Sequence, residues 1–247
     1  MSRSEWVVGF HAVLAALEAP ACRVEVVWLA AGVGGSRAQQ VLAATRRRGV
    51  RYSSVPRRQL DEVAAGVAHN GFAARTAPAP LADAGELLGL PSPTCLLGLD
   101  GLEDSRNLGA VIRVAAGLAL GGVIVAGPHP PPLGGAAAKV AAGQVGRVRV
   151  AHVGSLGDFA RAAKAEGFWV LGAAPEGDDV TRFNLPDRLL LCLGAEASGL
   201  RAKTRTALDG VVAIPLAPGV ESLNLSVATG ILVWEWRRRH PSLPVES

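Results

Sequence analysis

The sequence has few of the residues that mark metal-binding, secreted or membrane proteins. Its three cysteines, Cys22, Cys95 and Cys192, lie far apart and form no Cys-x-x-Cys pair or Cys/His cluster. We therefore expect no metal ion, and a reducing cytoplasm is the simplest setting for three thiols that cannot all pair. The first residues lack the apolar core of a signal peptide. No run of about 18 apolar residues is free of polar breaks, so we expect no membrane segment.

Aromatic residues are also scarce, at 4% of the 247 residues, whereas apolar residues make up 49%. The core must therefore consist mainly of aliphatic side chains. The length of the chain suits either one large domain or two small ones.

Local patterns divide the chain into two α/β domains. Residues 1–75 alternate helices and strands, beginning with a predicted helix over 6–18 and ending with a strand over 72–75. Residues 76–93 hold two Pro-bearing stretches around a weak helical pattern, which is typical of a linker. Over residues 94–247, short apolar runs alternate with helical patterns, which predicts a parallel sheet covered by helices on both faces.

The positive charge is concentrated in the first predicted domain. The chain carries a net charge of +4, yet residues 1–75 hold ten Arg, no Lys and five acidic residues, a net charge of +5. Clustered arginine favours partners that carry phosphate, such as nucleic acid. The run Arg46, Arg47 and Arg48 is the strongest candidate for such contacts, and a solvated helix face is the alternative.

Two glycine-containing turns follow predicted strands, as dinucleotide-binding turns do. Residues 32–37 lack the third glycine of the dinucleotide pattern, and no acidic residue ends the next strand. In residues 194–199, Glu196 replaces the central glycine, and its carboxylate would repel a pyrophosphate. These departures disfavour a nucleotide-binding oxidoreductase, whereas a ligand without phosphates suits the second turn. Tight turns that need Gly only for backbone geometry are the alternative.

Three blocks of the second domain carry a family resemblance. They are 104–113 (DSRNLGAVIR), 193–200 (LGAEASGL), and 214–216 (IPL) followed by 221–230 (ESLNLSVATG). Together they resemble motifs 1, 2 and 3 of the SpoU family in the SPOUT methyltransferase superfamily. Residues 8–13 and 69–71 are similar to the substrate-binding domain of the TrmH/RlmB branch of that family.

The resemblance implies the fold, the activity and the partners of the chain. It implies an α/β SPOUT domain with a parallel sheet and a deep trefoil knot, a small N-terminal α/β RNA-binding domain, and a homodimer formed through the SPOUT domain. The implied activity is methyl transfer from S-adenosylmethionine to an RNA ribose 2′-hydroxyl, with a guanosine of 23S rRNA as the first choice. A tRNA substrate and a non-catalytic RNA-binding member are the alternatives. The implied cofactor-binding residues are Gly172, Ala173, Leu193, Gly194, Gly199, Ile214, Leu216 and Leu223.

The resemblance also implies five catalytic residues. Arg113 is the proposed general base of the family, but an arginine is almost always protonated, so gripping a phosphate beside the ribose is an equally economical role. We expect Asn107 to orient Arg113 or to cap its helix, and Glu196 to order both side chains or the RNA. Ser222 and Asn224 precede the last predicted helix, where they bind an RNA phosphate or act as caps.

Some positions depart from the family pattern. Ser105 stands where proline is expected after the aspartate of the first motif, and Asn70 stands in place of Gln in the turn after His69. Gly146 occupies a position at which we expect Glu. These departures concern the RNA target more than the reaction. We include His69 among the RNA-binding candidates because it lies in the substrate-binding turn.

Overall fold

The computed structural model of the protein describes residues 5–19, 22–77, 80–128, 130–131, 133, 137, 140–141, 144–195 and 198–241. The chain forms two compact units. The first contains Met1–Pro80 together with Pro132–Arg147, and the second contains Leu81–Pro131 and Val148–Ser247. Within the described ranges, no helix is both long enough and apolar enough to cross a membrane.

The first unit is a four-stranded sheet with helices on both faces. Its elements are β1 (Glu5–Val8), α1 (Phe10–Glu18), β2 (Val24–Ala30), α2 (Ser36–Arg47), β3 (Arg51–Val55), α3 (Arg57–Ala64) and β4 (Phe72–Thr76). The strand order is β1-β4-β2-β3, with β2 and β3 parallel and the other pairs antiparallel. The core on one face is closed by α1 and α2, and a smaller core on the other face is closed by α3.

The predicted helix over 6–18 is wrong at its beginning. Trp6 to Val8 belong to β1, which pairs with β4, and the helix begins only at Phe10. Gly9 separates the two elements with a φ of 100°, a backbone conformation that residues with a side chain rarely adopt. The apolar residues of this segment fit a helical period, but Gly9 breaks the helix and tertiary pairing extends its first part.

The second unit is a six-stranded, fully parallel sheet, as the alternation of strand and helix patterns predicted. Its elements are α4 (Ala84–Leu88), β5 (Thr94–Asp100), α5 (Ser105–Gly117), β6 (Gly122–Ala126), β7 (Val150–Val153), α6 (Leu156–Ala165), β8 (Trp169–Asp179), β9 (Arg188–Gly194), α7 (Ala202–Arg205), β10 (Gly210–Ala213) and α8 (Leu225–Arg237). The strand order is β10-β8-β9-β5-β6-β7. Every residue of β5 and β6 is buried, which explains the continuous apolar runs over 95–99 and 122–126.

The segment expected to be a linker is partly built into the second unit. Helix α4 lies within residues 76–93, and Asp83 caps it by accepting hydrogen bonds from the amides of Gly85 and Glu86. Its Leu87 and Leu88 are buried in the same core as α6. The helical pattern between the two Pro-bearing stretches was weak because the helix has only five residues.

Strand β8 changes its pairing partway along its length. Gly172 pairs with Val211, but the next residue of β10, Val212, pairs with Asp178. Residues 173–177 therefore bulge out of the ladder at the carboxyl end of the sheet. A cavity opens beside this bulge.

Candidate active site

A cavity of about 560 Å³ lies at the carboxyl ends of β8, β9 and β10. The bulge of β8, the turn after β9 and the segment between β10 and α8 form its walls. Its lining residues are Ala173, Ala174, Pro175, Gly177, Asp179, Leu193, Gly194, Ala195, Gly199, Leu200, Arg205, Val212, Ala213, Ile214, Pro215, Leu216, Val220, Glu221, Ser222, Leu223, Leu225, Ala228 and Leu232. Open parallel sheets bind ligands at this end, and the volume suits a small molecule.

The cavity brings together most of the predicted cofactor-binding residues. Seven of the eight line it: Ala173, Leu193, Gly194, Gly199, Ile214, Leu216 and Leu223. Gly172 lies outside the lining. A Cβ at Gly172 would stand 2.6 Å from Leu208 Cδ1 and 2.9 Å from Leu200 Cδ1, so this glycine makes room for packing instead.

Gly194 is required by the turn itself. A Cβ at this position would stand 2.0 Å from the carbonyl carbon of Gly199 and 2.3 Å from the Leu200 nitrogen. The turn is closed by a hydrogen bond of 2.8 Å from the Gly199 amide to the Ala195 carbonyl. Gly199 has a φ of 62°, which a glycine adopts at little cost. The second motif therefore encodes a tight loop that forms one wall of the cavity.

The cavity wall carries carboxylates and one arginine that is already paired. Hydrogen bonds from the Thr181 hydroxyl and amide lower the pKa of the Asp179 carboxyl below its ordinary value, so Asp179 is anionic near neutral pH. Glu221 is a second acid of the lining. Arg205 donates to Glu176 at 3.0 Å and to the Leu200 carbonyl at 3.1 Å, so its charge is partly balanced. This wall suits a ligand that is largely apolar and carries positive charge.

Arg113 lies on α5 with its side chain exposed. It has no hydrogen-bond or ion-pair partner within the part of the chain that the structure describes, and it is not among the residues that line the cavity. Helix α5 packs against α8, whose first turns form part of the cavity wall. An exposed guanidinium on this helix is available to a large substrate.

The expected capping role of Asn107 is wrong. The cap of α5 is Asp104, whose Oδ1 accepts a hydrogen bond of 2.7 Å from the Arg106 amide, and Asn107 is the third residue inside the helix. Asn107 is half-buried. Ser105, the departure in this motif, is the first residue of the helix.

Ser222 and Asn224 occupy different environments. Ser222 lines the cavity. Asn224 is the N-cap of α8, because its Oδ1 accepts hydrogen bonds from the Ser226 amide at 3.0 Å and the Ser226 hydroxyl at 2.6 Å. Glu196 lies outside the described residues.

The four RNA-binding candidates of the first unit also separate into two groups. Arg46 and Arg47 are exposed near the end of α2. The Arg48 guanidinium donates to the carbonyls of Leu17, Ala19 and Cys22 at 3.1, 2.7 and 2.5 Å, so it closes the C-terminal end of α1.

His69 is buried in the turn before β4. Its Nδ1 accepts a hydrogen bond of 3.0 Å from the Gly71 amide, and its Nε2 lies 2.9 Å from Asp61 Oδ1. Asn70, the departure in this turn, has a φ of 50°. We expected Arg48 and His69 to contact RNA, but their polar groups form hydrogen bonds that stabilise the fold of the first unit.

Asp100 is a residue of the site region that sequence reasoning missed. It ends β5, is buried, and accepts hydrogen bonds from the Thr204 hydroxyl at 2.6 Å and the Arg201 amide at 3.0 Å. The Arg201 guanidinium lies 3.7 Å from its other oxygen. Asp100 thereby ties the strand that leads into the first motif to the residue that follows the second. An acidic residue that ends an apolar strand was the available signal.

Within the described ranges, no group of three His, Cys, Asp or Glu side chains is arranged to hold a metal ion.

Comparison with family models covers nearly the whole chain. The model described as SpoU rRNA Methylase family matches residues 94–234, and the model described as RNA 2'-O ribose methyltransferase substrate binding matches residues 6–82.

Similar proteins match the chain over nearly its whole length. The chain is 35% identical to a protein of Ralstonia nicotianae named 23S rRNA (guanosine-2'-O-)-methyltransferase RlmB, over 100% of both chains. It is 36% identical to the Escherichia coli protein of the same name, over 94% of this chain and 97% of that one. A solved structure of the SpoU methyltransferase AviRb from Streptomyces viridochromogenes, in complex with AdoMet, superposes with a TM-score of 0.81 at 24% identity, covering 97% and 91% of the two chains.

Proposed function

Because this chain belongs to the SpoU rRNA methylase family, we propose that it transfers a methyl group from S-adenosylmethionine to the ribose 2′-hydroxyl of a guanosine in 23S rRNA. The observation that carries the proposal is the cavity at the carboxyl ends of β8, β9 and β10, which gathers residues of the second and third motifs. The proposed substrate follows from the names of relatives that match 94% or more of the chain.

The cavity fits S-adenosylmethionine in size and in chemistry. Its volume of about 560 Å³ lies within the range of small-molecule sites. The aliphatic side chains of Leu193, Ile214 and Leu223 would hold the adenine ring, and the backbone of the tight loop offers polar groups without a phosphate site. Asp179 would balance the positive sulfonium. When bound, S-adenosylmethionine supplies an electrophilic methyl carbon.

The residues of this chain would then bind the ribose and handle its proton. Arg113 would contact the RNA from α5, either gripping the phosphate beside the target ribose or fixing the attacking oxygen. Ser222, on the wall of the cavity, is placed to contact the RNA where it meets the cofactor. Asn224 would act indirectly, because it caps α8 and so fixes the segment that carries Ser222 and Leu223.

The function is tested by mapping 2′-O-methylated nucleotides in the total RNA of a strain that lacks this gene. Loss of one guanosine 2′-O-methyl group in 23S rRNA, restored by the wild-type gene, is the expected result. Loss of a methyl group in tRNA alone would identify tRNA as the substrate. An unchanged map would contradict the proposed methyltransferase activity. Calorimetry with S-adenosylmethionine, S-adenosylhomocysteine and NAD separates this function from a nucleotide-dependent oxidoreductase.

The exposed side of α8 supports a homodimer formed through the second unit. Val227, Ile231 and Trp234 follow one another at helical spacing and are 51%, 37% and 54% exposed. Such an apolar stripe on a helix is typical of a surface that another chain covers. We propose that a second copy of this chain covers it.

Trp234→Asp is expected to convert the dimer into a monomer, because a carboxylate within the covered stripe would be desolvated. Light scattering after gel filtration measures the change of mass. The matched control is Leu81→Asp, which places the same charge at a residue that is 54% exposed on the same unit. A dimeric Trp234→Asp protein would contradict this interface.

We propose that Arg46 and Arg47 contribute phosphate contacts in the first unit. Replacing both with Gln should reduce the slope of log affinity against log salt by about 1.4 for single-stranded RNA, since each phosphate contact contributes about 0.7. RNA titrations at several salt concentrations measure the slope. Arg182→Gln, at an exposed arginine of the second unit, should leave it unchanged. An unchanged slope in the double variant would count against these contacts.

We also propose that the protein acts in the cytoplasm on its ribosomal RNA.

We further propose that the chain after β10 forms the deep knot of the SPOUT fold. From β10, at one edge of the sheet, the chain passes the carboxyl ends of β8 and β9 before α8 packs against α5. The end of α8 holds the β8–β9 loop, because Trp236 donates to the Pro186 carbonyl at 2.8 Å. Arg239 donates to the Val180 carbonyl of the same loop at 3.2 Å. These contacts support a threaded C-terminal segment.

A further inference from the structure

Within the residues that the structure describes, a helix covers only half of one face of the four-stranded sheet in the first unit. On this face α3 packs over Ala30, Val55 and Ala73, which are buried. The register of the strands places two rows of side chains on the same face, and Ala73 belongs to the second of them. One row consists of Trp6, Arg75, Val26 and Arg51, and the next consists of Val8, Ala73, Trp28 and Ser53.

The side chains at the open end of this face are accessible. Trp6, Val26 and Trp28 are half-buried, while Arg51 and Ser53 are exposed. The opposite face of the same strands is different, because Val24, Val27 and Leu29 are buried there beneath α1 and α2. Accessible side chains of these strands therefore lie on the half of this face that α3 leaves uncovered, and the opposite face is buried.

Two tryptophans form the centre of this surface. The ring centroids of Trp6 and Trp28 are 4.1 Å apart, and their planes meet at 43°. The two rings also pack against the cluster beneath α3, so their positions are fixed by the core of the unit. Rigid aromatic rings that are half open to solvent bind flat partners with little loss of conformational entropy.

Arginines surround the two rings. Arg51 lies at one end of the row that contains Trp6, and Arg75 is the neighbour of Trp6 in the same row. Glu25 holds the Arg75 guanidinium, with Nε 2.7 Å from Oε2, and half of the Arg75 side chain stays exposed. Arg57 and Arg58 are exposed at the start of α3, which packs on this face.

We propose that this surface, which we call the tryptophan face (Trp6, Val26, Trp28, Arg51, Ser53 and Arg75), binds unpaired nucleotides of the RNA substrate by base stacking. Aromatic side chains on an open sheet face, with arginines at the border, are suited to stacked bases and their phosphates. In a duplex the base planes are already stacked on one another, so the surface selects single-stranded segments. The proposal rests on the proposed function in one respect, namely that the substrate is RNA.

The test uses two neighbouring serines of β3 in the full-length protein. Ser53 and Ser54 are both exposed on the same edge strand, but only Ser53 lies on the tryptophan face, beside Trp28. Ser53→Asp should weaken binding of an unstructured RNA 12-mer about tenfold, the loss expected when one stacked base is displaced. Ser54→Asp, with the same charge in the same strand, should change the affinity less than twofold. Fluorescence anisotropy at a fixed salt concentration near 0.15 M, where screening is strong, compares the two.

A second variant tests the rings directly. Trp28→Leu should lower the affinity for the unstructured RNA by about tenfold or more and should have a smaller effect on an RNA duplex of the same composition. Affinity for S-adenosylhomocysteine, measured on every variant, should stay at the wild-type value. If Trp28→Leu does not fold, the serine pair still decides.

The outcomes separate this proposal from the proposed function. Wild-type RNA affinity in Ser53→Asp, or equal losses in Ser53→Asp and Ser54→Asp, would overturn the tryptophan face while leaving a methylating enzyme in place. A selective loss of RNA affinity in Ser53→Asp would support the tryptophan face. If the wild-type protein in the same study methylated no RNA, the proposed enzyme activity would be contradicted while the tryptophan face would stand.

Discussion

Replacing Arg113 with Ala is expected to lower the rate of methyl transfer by about 100-fold to 10,000-fold, the range that a group handling a proton or a developing charge contributes. Affinity for S-adenosylmethionine should not change, because Arg113 lies outside the cavity lining. Single-turnover rates at saturating RNA measure the effect. An exposed guanidinium on α5, outside the cavity lining, suits a contact with substrate rather than with cofactor.

Arg113→Lys distinguishes the two roles of this residue. If Arg113 only grips a phosphate, a lysine charge still attracts the anion, so RNA affinity falls and the rate at saturation largely survives. If Arg113 takes the proton or fixes the attacking oxygen through two hydrogen bonds, the rate falls even at saturation, because the lysine geometry differs.

Arg106→Ala is the matched control for Arg113→Ala. Arg106 is also exposed on α5, but it pairs with Asp104 at 3.1 Å, and the backbone amide of residue 106 would still satisfy the helix cap. The control should keep a nearly normal rate. A normal rate in Arg113→Ala would contradict both roles of Arg113. It would also contradict the assignment of a catalytic role to the first motif.

Gly194→Ala is expected to remove detectable cofactor binding, which calorimetry with S-adenosylhomocysteine measures. The added Cβ would stand 2.0 Å from the carbonyl carbon of Gly199, and neither backbone segment can move without opening the loop. Real Cβ atoms do not approach backbone atoms so closely, so the loop must shift and one wall of the cavity is lost. RNA affinity should be retained, because the first unit is untouched.

The control for this substitution is Gly154→Ala. A Cβ at Gly154 meets no atom within 4 Å, and this glycine lies on the same unit. It should bind the cofactor like the wild type. If Gly194→Ala also bound with wild-type affinity, the loop of the second motif would not form the cofactor site.

The cavity could be predicted from sequence because its residues lie in short, continuous motifs. Seven of eight cofactor candidates line it, whereas Gly172 packs against Leu200 and Leu208, a contact that depends on the path of α7. The same limit explains Asp100. Its partner Thr204 is 104 residues away, and no local pattern links them.

The arginine run shows why neighbouring identical residues cannot be separated by composition. Arg46, Arg47 and Arg48 are equivalent as letters, but α2 ends at Arg47 and Arg48 turns back toward α1. Its direction follows from the end of the helix and from the carbonyls that lie opposite. The sequence indicates how much charge a segment carries, and the fold determines which of the charged side chains face solvent.

The position of the cavity in the chain has a consequence for protein synthesis. Every lining residue lies between Ala173 and Leu232, and the helix that closes the cavity packs on α5, more than 100 residues earlier. Domains fold in order as they leave the ribosome, at about 5 to 20 residues per second. Residues 1–80 of the first unit are therefore synthesised many seconds before the cofactor pocket can exist. During that interval the nascent protein has no pocket for the cofactor and cannot transfer a methyl group.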